Sequence, residues 1–376
     1  MKKRILALLL CTAMVFSICG CGDSNANGTE NLQAEGVDNP TVEKLADYSD
    51  FSVVLSGQYE ITDELVNYYF TEVLYNAGAG MTKVTDRDTV QEGDIVEVDY
   101  TGYLNGEAFE GGSTIDSEGN SNPTLIDVSN NCGVDMSSGS PTSGYIDGFS
   151  AGIIGGKVGE TVSSDVTFPE DYGNTELAGQ LATFEYVIHA IYTEVTPETI
   201  TDEYVAENLS SYDVATVEEF MVFLKEDLAY NYTMNYIIEN STYDISESYL
   251  NYRLEDYQQY FEDNYCSGTD LETYLSYYGY TVEEMQVQWL EELQTQIKAE
   301  LIFSELVAKR GLTLDEAAHE AYIKSILAAN SYFKEAADIY KYVGAGSASA
   351  GEVYLKNQDV VRDSMLEEYN NWLSKQ

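Results

Sequence analysis

The chain has 376 residues, with 65 acidic against 18 basic side chains and a formal charge of −47 at pH 7. A polyanion of this size is repelled by phosphate backbones and anionic lipid headgroups, which excludes nucleic acid and bare membrane surface as partners. With 44% hydrophobic residues, 32 Tyr and 12 Phe, it has ample apolar mass for packed cores, so disorder is excluded as well. The length suits two or three domains.

The N-terminus reads Met1-Lys2-Lys3-Arg4, then a mostly apolar stretch from Ile5 to Ile18, then Cys19-Gly20-Cys21. A basic start followed by about 14 apolar residues predicts a secretory signal peptide, too short to span a bilayer comfortably. Ile18-Cys19-Gly20-Cys21 resembles a bacterial lipobox, with a small residue before the cysteine that receives the lipid. That resemblance implies that residues 1–20 are removed and that Cys21 becomes the acylated, palmitate-bearing first residue of a lipoprotein. An ordinary cleaved signal with an incidental cysteine is the alternative. Loss of Lys2, Lys3 and Arg4 would leave 15 basic against 65 acidic side chains, a net charge of −50. Residues 21–56 are of low hydrophobicity and lack periodicity, and are expected to form a lipidated acidic tether. The rest would be held, extracytoplasmic, on the outer face of the cell membrane.

Phe51 to Leu55 is a short β-like run, followed by a helix signal from Thr62 to about Tyr75 that Gly78-Ala79-Gly80 ends. Leu65, Tyr69 and Val73 fall on one helical face. Residues 57–84 thus form a helical connector. From 85 to 195 helical periodicity disappears and Gly becomes frequent. Ile95–Tyr100, Thr161–Phe168 and Thr183–Ile191 alternate as strands of an antiparallel sheet. On the last, Phe184, Tyr186 and Ile188 share one face and His189 lies on the other, as a surface or edge histidine.

From about 196 to 376 the pattern is helical. Capping boxes are expected at Thr216…Glu219, Thr269…Glu272, Thr281…Glu284 and Thr313…Glu316. Leu250, Leu254, Tyr257 and Phe261 form a helical stripe, and Gly344 to Gly351 reads as a flexible loop. Apart from the leader cysteines only Cys132 and Cys266 remain, in different predicted domains, and the two histidines (His189, His319) form no cluster with them. No metal or cofactor is therefore expected.

The middle region carries Gly93-Asp94-Ile-Val-Glu-Val-Asp99-Tyr100-Thr-Gly102-Tyr-Leu-Asn-Gly106-Glu-Ala-Phe109-Glu110-Gly-Gly112, then Tyr145-Ile146-Asp-Gly148-Phe149. Val166-Thr-Phe168-Pro169-Glu-Asp-Tyr172 and Leu177-Ala-Gly179-Gln-Leu-Ala-Thr-Phe184 follow. In order, these motifs resemble an FKBP-type peptidyl-prolyl isomerase domain, in the version found in trigger factor. On the C-terminal side, Thr196-Pro-Glu-Thr-Ile-Thr-Asp-Glu-Tyr204 and Asp270-Leu-Glu-Thr-Tyr-Leu-Ser-Tyr-Tyr-Gly279 are similar to its helical substrate-binding domain. The resemblance implies an α+β fold: an FKBP-like antiparallel sheet wrapped on a short helix, followed by an all-α chaperone domain. It has no counterpart to trigger factor's ribosome-binding module. The implied partners are therefore unfolded or X-Pro-containing exported polypeptides, with no ribosome and no nucleic acid, and the membrane is reached through the lipid on Cys21.

By position, the family pattern puts Tyr100, Phe109, Ile146, Phe149, Tyr172 and Phe184 in a substrate pocket. It gives Tyr145 a backbone N–H for the substrate carbonyl and sets Glu110 at the pocket edge. The same aromatics could instead be ordinary core. Ser113 to Ser143 is an insertion relative to the family that could cover the pocket, tune it or abolish turnover, and Leu125 is a candidate for one further apolar pocket residue. Asp116-Ser-Glu118-Gly-Asn120 reads as a solvated loop rather than a calcium site. The tyrosines at 243, 249, 252, 257, 260, 265, 274, 277, 278 and 280 either fill helix interfaces or, with Met285 and Trp289, offer an adaptable surface to unfolded chains. The expected function is an extracytoplasmic isomerase and chaperone for exported proteins. The rivals are a holdase with an inactive FKBP-type domain and a solute- or surface-binding lipoprotein.

Overall fold

A computed structural model describes residues 37–376, so the expected signal peptide, Cys21 and the first part of the tether lie outside the described residues. In chain order come β1 (Thr41–Lys44), α1 (Phe51–Val54), α2 (Asp63–Asn76), β2 (Met81–Lys83), β3 (Asp94–Leu104) and β4 (Glu107–Ser113). β5 (Thr124–Asp127), β6 (Cys132–Val134), β7 (Pro141–Gly144), β8 (Thr161–Thr167) and β9 (Leu181–Glu194) follow. The remainder is α3 (Asp202–Asn208), α4 (Val217–Asn240), β10 (Thr242–Asp244), α5 (Glu247–Tyr265), α6 (Leu271–Tyr277), α7 (Val282–Arg310), α8 (Glu316–Ala329), α9 (Ala336–Val343) and α10 (Ala348–Leu373). The expected α+β architecture, an antiparallel-sheet domain followed by helices, is what the chain forms.

Two compact units result, residues 62–224 and residues 37–61 with 225–376. In the first, β3 and β9 form the long central antiparallel pair, in register from Asp94↔Thr193 to Leu104↔Ala182. One half of β3 pairs β5 and the other half β4, while β9 takes β2 and β8 on its far edge. Alternation puts Val96, Val98, Phe184, Tyr186 and Ile188 on one core face, packed with Ile126, Phe149 and Ile153. Ile95 and Leu125 fall on the opposite face with Val134, so Leu125 belongs to a separate small core and not to a pocket on the main one. The start of β3 is pinned by Asp94, which accepts both Arg87 guanidinium nitrogens at 2.7 and 2.5 Å and the Gln91 N–H at 2.7 Å.

The expected short helix is instead a run of turns from Ile146 to Gly156, closed by i→i+3 bonds such as Phe149 N–H to Ile146 O and Ile153 N–H to Ser150 O. Gly148 and Gly155 adopt φ of 83° and 86° there, which a continuous right-handed helix cannot accommodate. The segment 113–143 is not simply a loop: β5, β6 and β7 extend the sheet in the order β3-β5-β6-β7. Residues 196–224, expected with the helical region, belong to this unit. Phe220 meets Phe70 of α2 at 5.5 Å between ring centroids, and the Tyr204 hydroxyl donates to Ala79 O at 2.9 Å.

In the second unit, the stretch expected to be tether and β-run is built into the helical core. β1 pairs β10, with Val42 opposite Tyr243. Phe51–Val54 is helical, because Asp50 caps it through the Ser52 N–H and Phe51 and Val54, three residues apart, both bury. Phe51 lies 5.5 Å from the Tyr369 ring and 5.8 Å from Trp372. Thr281…Glu284 forms a full capping box, and Thr216 accepts the Glu219 N–H at 3.2 Å. The other two proposed boxes are displaced: Asp270 caps α6 one residue past Thr269 and Asp315 caps α8 two residues past Thr313, a carboxylate being well suited to the positive end of the helix dipole.

The stretch 344–351 is a packed corner, not a flexible loop. A Cβ on Gly351 would lie 1.9 Å from Tyr340 O, and Gly344 O accepts from the buried Arg253 guanidinium at 2.9 Å. Met285 and Trp289 are buried core beneath α5 and α6 rather than exposed surface, as are Leu254 and Tyr257 of the predicted stripe. Cys132 and Cys266 are both free and buried. No helix among the described residues is long and apolar enough to cross a membrane.

Candidate functional site

A cleft of about 420 Å³ opens on the core face of the sheet. All eight positions expected at the pocket line it: Tyr100, Phe109, Glu110, Tyr145, Ile146, Phe149, Tyr172 and Phe184. Tyr100 comes from β3 and Phe184 from β9, brought side by side by the register that sets Tyr100 opposite Tyr186 and Gly102 opposite Phe184. β4 contributes Phe109 and Glu110. The Phe109 ring can sit close to the backbone because Gly102 and Gly112 leave room; a Cβ on them would come within 2.6 and 2.4 Å of that ring, respectively. Tyr145, Ile146 and Phe149 come from the turn segment that follows β7.

Phe149 is the floor. It is 3% exposed, stacks on Tyr145 at 4.4 Å and 16°, and takes Tyr100 edge-on at 5.2 Å and Phe184 at 4.8 Å. Its backbone carbonyl accepts the hydroxyl of the buried Tyr186. The far wall is Phe109, Phe168 and Tyr172, with Phe168 6.0 Å from Phe109 and 4.7 Å from Tyr172. Tyr172 is 37% exposed and marks the rim, as does the exposed Glu110.

Burial pushes the Tyr100 and Tyr145 phenols above their ordinary range, so both stay neutral at physiological pH. Behind Tyr100, burial works to raise the Asp99 carboxyl, but hydrogen bonds from Ser121, Thr114 and His189 outweigh it and hold Asp99 below the usual carboxylate range. His189 is partly exposed, 2.8 Å from Asp99 Oδ2, and sits at a bulge between the Glu97↔Ala190 and Val98↔Ile188 pairs, away from the aromatic face as expected. The cleft itself is aromatic and carries a single carboxylate, at its edge.

One expected role does not fit. The Tyr145 N–H already donates to Asn131 O at 2.9 Å, so it is unavailable to a substrate carbonyl. The next N–H, that of Ile146, makes no hydrogen bond among the described residues. The cleft also contains Phe168, Asn174 and Leu177, which the residue-by-residue reading missed. The Val166-Thr-Phe168-Pro169 and Leu177-Ala-Gly179 motifs were the available signal, and Phe168 and Leu177 supply the extra apolar contacts sought at Leu125. None of residues 113–143 lines the cleft. The Asp116 carboxylate is taken up by its own turn, accepting the Glu118 and Asn120 N–H groups, each at 2.8 Å.

Residues 86–191 match the family model of FKBP-type peptidyl-prolyl cis-trans isomerases, and residues 225–358 match that of the bacterial trigger factor C-terminus. The first match falls within the sheet unit and the second within the helical unit. It is similar to the trigger factor of Bacillus cytotoxicus, 28% identical over 285 residues, covering 73% of this chain and 61% of that one. It is similar to that of Halalkalibacterium halodurans at 29% over 292 residues (74% and 62%), and to that of Agathobacter rectalis at 28% over 307 residues (78% and 63%). The chain thus spans a little over three fifths of the length of these relatives.

Proposed function

We propose that this protein is a peptidyl-prolyl cis-trans isomerase and chaperone for exported polypeptides, held outside the cytoplasmic membrane by a lipid on Cys21. The observation that carries the enzymatic part is the open, aromatic and nearly uncharged cleft floored by Phe149. Rotation about an X-Pro bond is slow because amide resonance must be broken, a barrier of about 18–20 kcal/mol for the peptide bond. No acid, base or nucleophile is needed. A dry aromatic box favours the twisted amide, which has lost part of its charge separation, over the planar one. An acceleration of about 10⁴ needs only about 5.4 kcal/mol of such differential binding. The free N–H of Ile146 is the donor for the substrate carbonyl, in place of Tyr145. Since the 113–143 segment leaves the cleft unfilled, the active reading is favoured over the inactive holdase.

The chaperone part is supported by the tip of the α6–α7 region. Tyr277, Tyr278 and Tyr280 are 85%, 48% and 52% exposed, with Tyr277 and Tyr278 in edge contact at 5.2 Å. Amphipathic rings of this kind offer apolar area to unfolded segments without fixing their sequence. The charge of −47 favours basic client segments and opposes docking on ribosomal RNA, so added salt should weaken client capture. Placement outside the membrane rests on the leader and lipobox.

Two experiments test this. Refolding of a proline-limited client should be accelerated by the full chain, with aggregation suppressed, and Tyr277→Ser with Tyr278→Ser should weaken only the second effect. Cells fed labelled fatty acid should label the protein and not its Cys21→Ser variant; an unlabelled wild type would refute the anchor.

A further inference from the structure

Asn131 stands just before β6 with φ 51°, a left-handed backbone that asparagine tolerates better than most residues. From there its side chain spans the segment that carries the cleft floor. Nδ2 donates to Ile146 O at 2.9 Å and to Tyr145 O at 3.2 Å. Oδ1 accepts the Ser150 N–H at 3.0 Å and the Ser150 hydroxyl at 2.9 Å. The Asn131 backbone carbonyl accepts the Tyr145 N–H at 2.9 Å. Ser150 is 2% exposed and also lies 3.1 Å from Val128 O, tying the same segment to the end of β5.

An amide offers two donor hydrogens and an acceptor with two lone pairs, and this one uses all of them on three residues, Tyr145, Ile146 and Ser150. Those residues bracket Phe149. The run of turns from 146 to 156 has no helical ladder of its own, so this clamp is what fixes its entry.

We propose that Asn131 is a positioning residue of the cleft, holding Tyr145, Ile146 and Phe149 in the arrangement that an X-Pro peptide requires. The segment 113–143 is then a working support of the site, not a cover over it. The inference rests on the isomerase reading above.

The test compares the full-length wild type with Asn131→Gly and Asn131→Asp. Glycine accepts the left-handed backbone but removes the clamp. Aspartate keeps the size and the Ser150 acceptor, yet turns a second oxygen toward two carbonyls. kcat and KM for cis/trans exchange are measured by NMR over a range of X-Pro peptide concentrations, alongside the unfolding midpoint. Misplacement of a supporting group by about 1 Å can cost up to about a hundredfold in turnover. The expected result is a kcat about tenfold lower for Asn131→Gly and lower still for Asn131→Asp, with KM changing less than kcat.

Simple loss of packing would instead make the nearly isosteric Asn131→Asp the milder change. An active wild type with both variants at its kcat, or with Asn131→Asp the less impaired, would overturn the proposal. An inactive wild type would overturn the isomerase reading itself, and this proposal with it. If Asn131→Asp does not fold, Asn131→Gly decides alone.

Discussion

Replacing Phe149 tests whether the cleft floor acts as an aromatic unit. The ring is 3% exposed and has Tyr145, Phe184, Tyr100 and Tyr186 at 4.4, 4.8, 5.2 and 5.4 Å between centroids. Each such pair is worth about 0.5–1.5 kcal/mol beyond burial, but rings sharing one site do not contribute additively. Phe149→Leu keeps most of the apolar volume and loses the ring geometry, so a destabilisation of about 2 kcal/mol is expected. Phe149→Ala leaves a cavity and should cost about 3–5 kcal/mol, a large part of the ~5–15 kcal/mol that holds a domain folded.

Leucine is therefore the informative substitution, since its product stays folded. Trp289 and Trp372 both lie in the helical unit, so tryptophan emission does not report on this site. Stability of the sheet unit should be followed by methyl and aromatic NMR signals in a denaturant series, and turnover by exchange of an X-Pro peptide. Loss of about 1.4–2.7 kcal/mol of transition-state binding corresponds to a fall of about tenfold to a hundredfold in turnover. A folded Phe149→Leu with wild-type exchange would refute the reasoning. So would a variant whose stability did not change at all.

Three further outcomes are expected. Gly351→Ala places a methyl group 1.9 Å from Tyr340 O, so the tryptophan-detected melting of the helical unit should fall by about 2–10 °C; an unchanged midpoint would contradict the packed corner. Burial, reinforced by Glu262 and Asp270, pushes the Cys266 thiol up to about 11, and the residue is 1% exposed, so iodoacetamide at pH 8 should leave it unmodified until the chain unfolds. Hydrogen bonds from Ser137 and Ser138 hold Asp135, in the turn between β6 and β7, at about 2, below its ordinary 3.8. Its folded value being depressed, its contribution to the hairpin is present above about pH 4 and is lost as pH falls through about 2. NMR titration of the Asp135 carboxyl with a midpoint near 3.8 would contradict that turn geometry.

The central sheet and the cleft were legible because their signals are local or ordered. The alternation on β3 and β9 set which face each residue occupies, and the aromatic motifs named eight residues that one cleft brings together. What could not be read depended on contacts distant in sequence. Phe51–Leu55 has β propensity, but Asp50 and the rings of Tyr369 and Trp372, more than 300 residues away, make it a helix. The glycines and serines of 344–351 suggest flexibility, whereas their small size serves close backbone approach to Tyr340. The polar composition of 113–143 hid three short strands, because runs of three or four residues are too short for alternation to show. The Asn131 clamp depends on a single left-handed residue meeting the carbonyls of residues 145 and 146, for which no sequence periodicity exists. Met285 and Trp289 show the converse: residues suited to an adaptable surface were drawn into the core by the stripe of α5.

The central claim is that the cleft floored by Phe149 isomerises X-Pro bonds, and exchange spectroscopy measures that step with no coupling enzyme. Purified full-length protein, added at substoichiometric concentration to a short X-Pro peptide, should produce cis/trans exchange cross-peaks that buffer alone does not. Phe109→Ala, which removes a half-buried wall rather than the floor, should abolish them while the protein stays folded. Exchange no faster than in buffer would contradict the account, leaving a chain that binds polypeptides without turning their prolines.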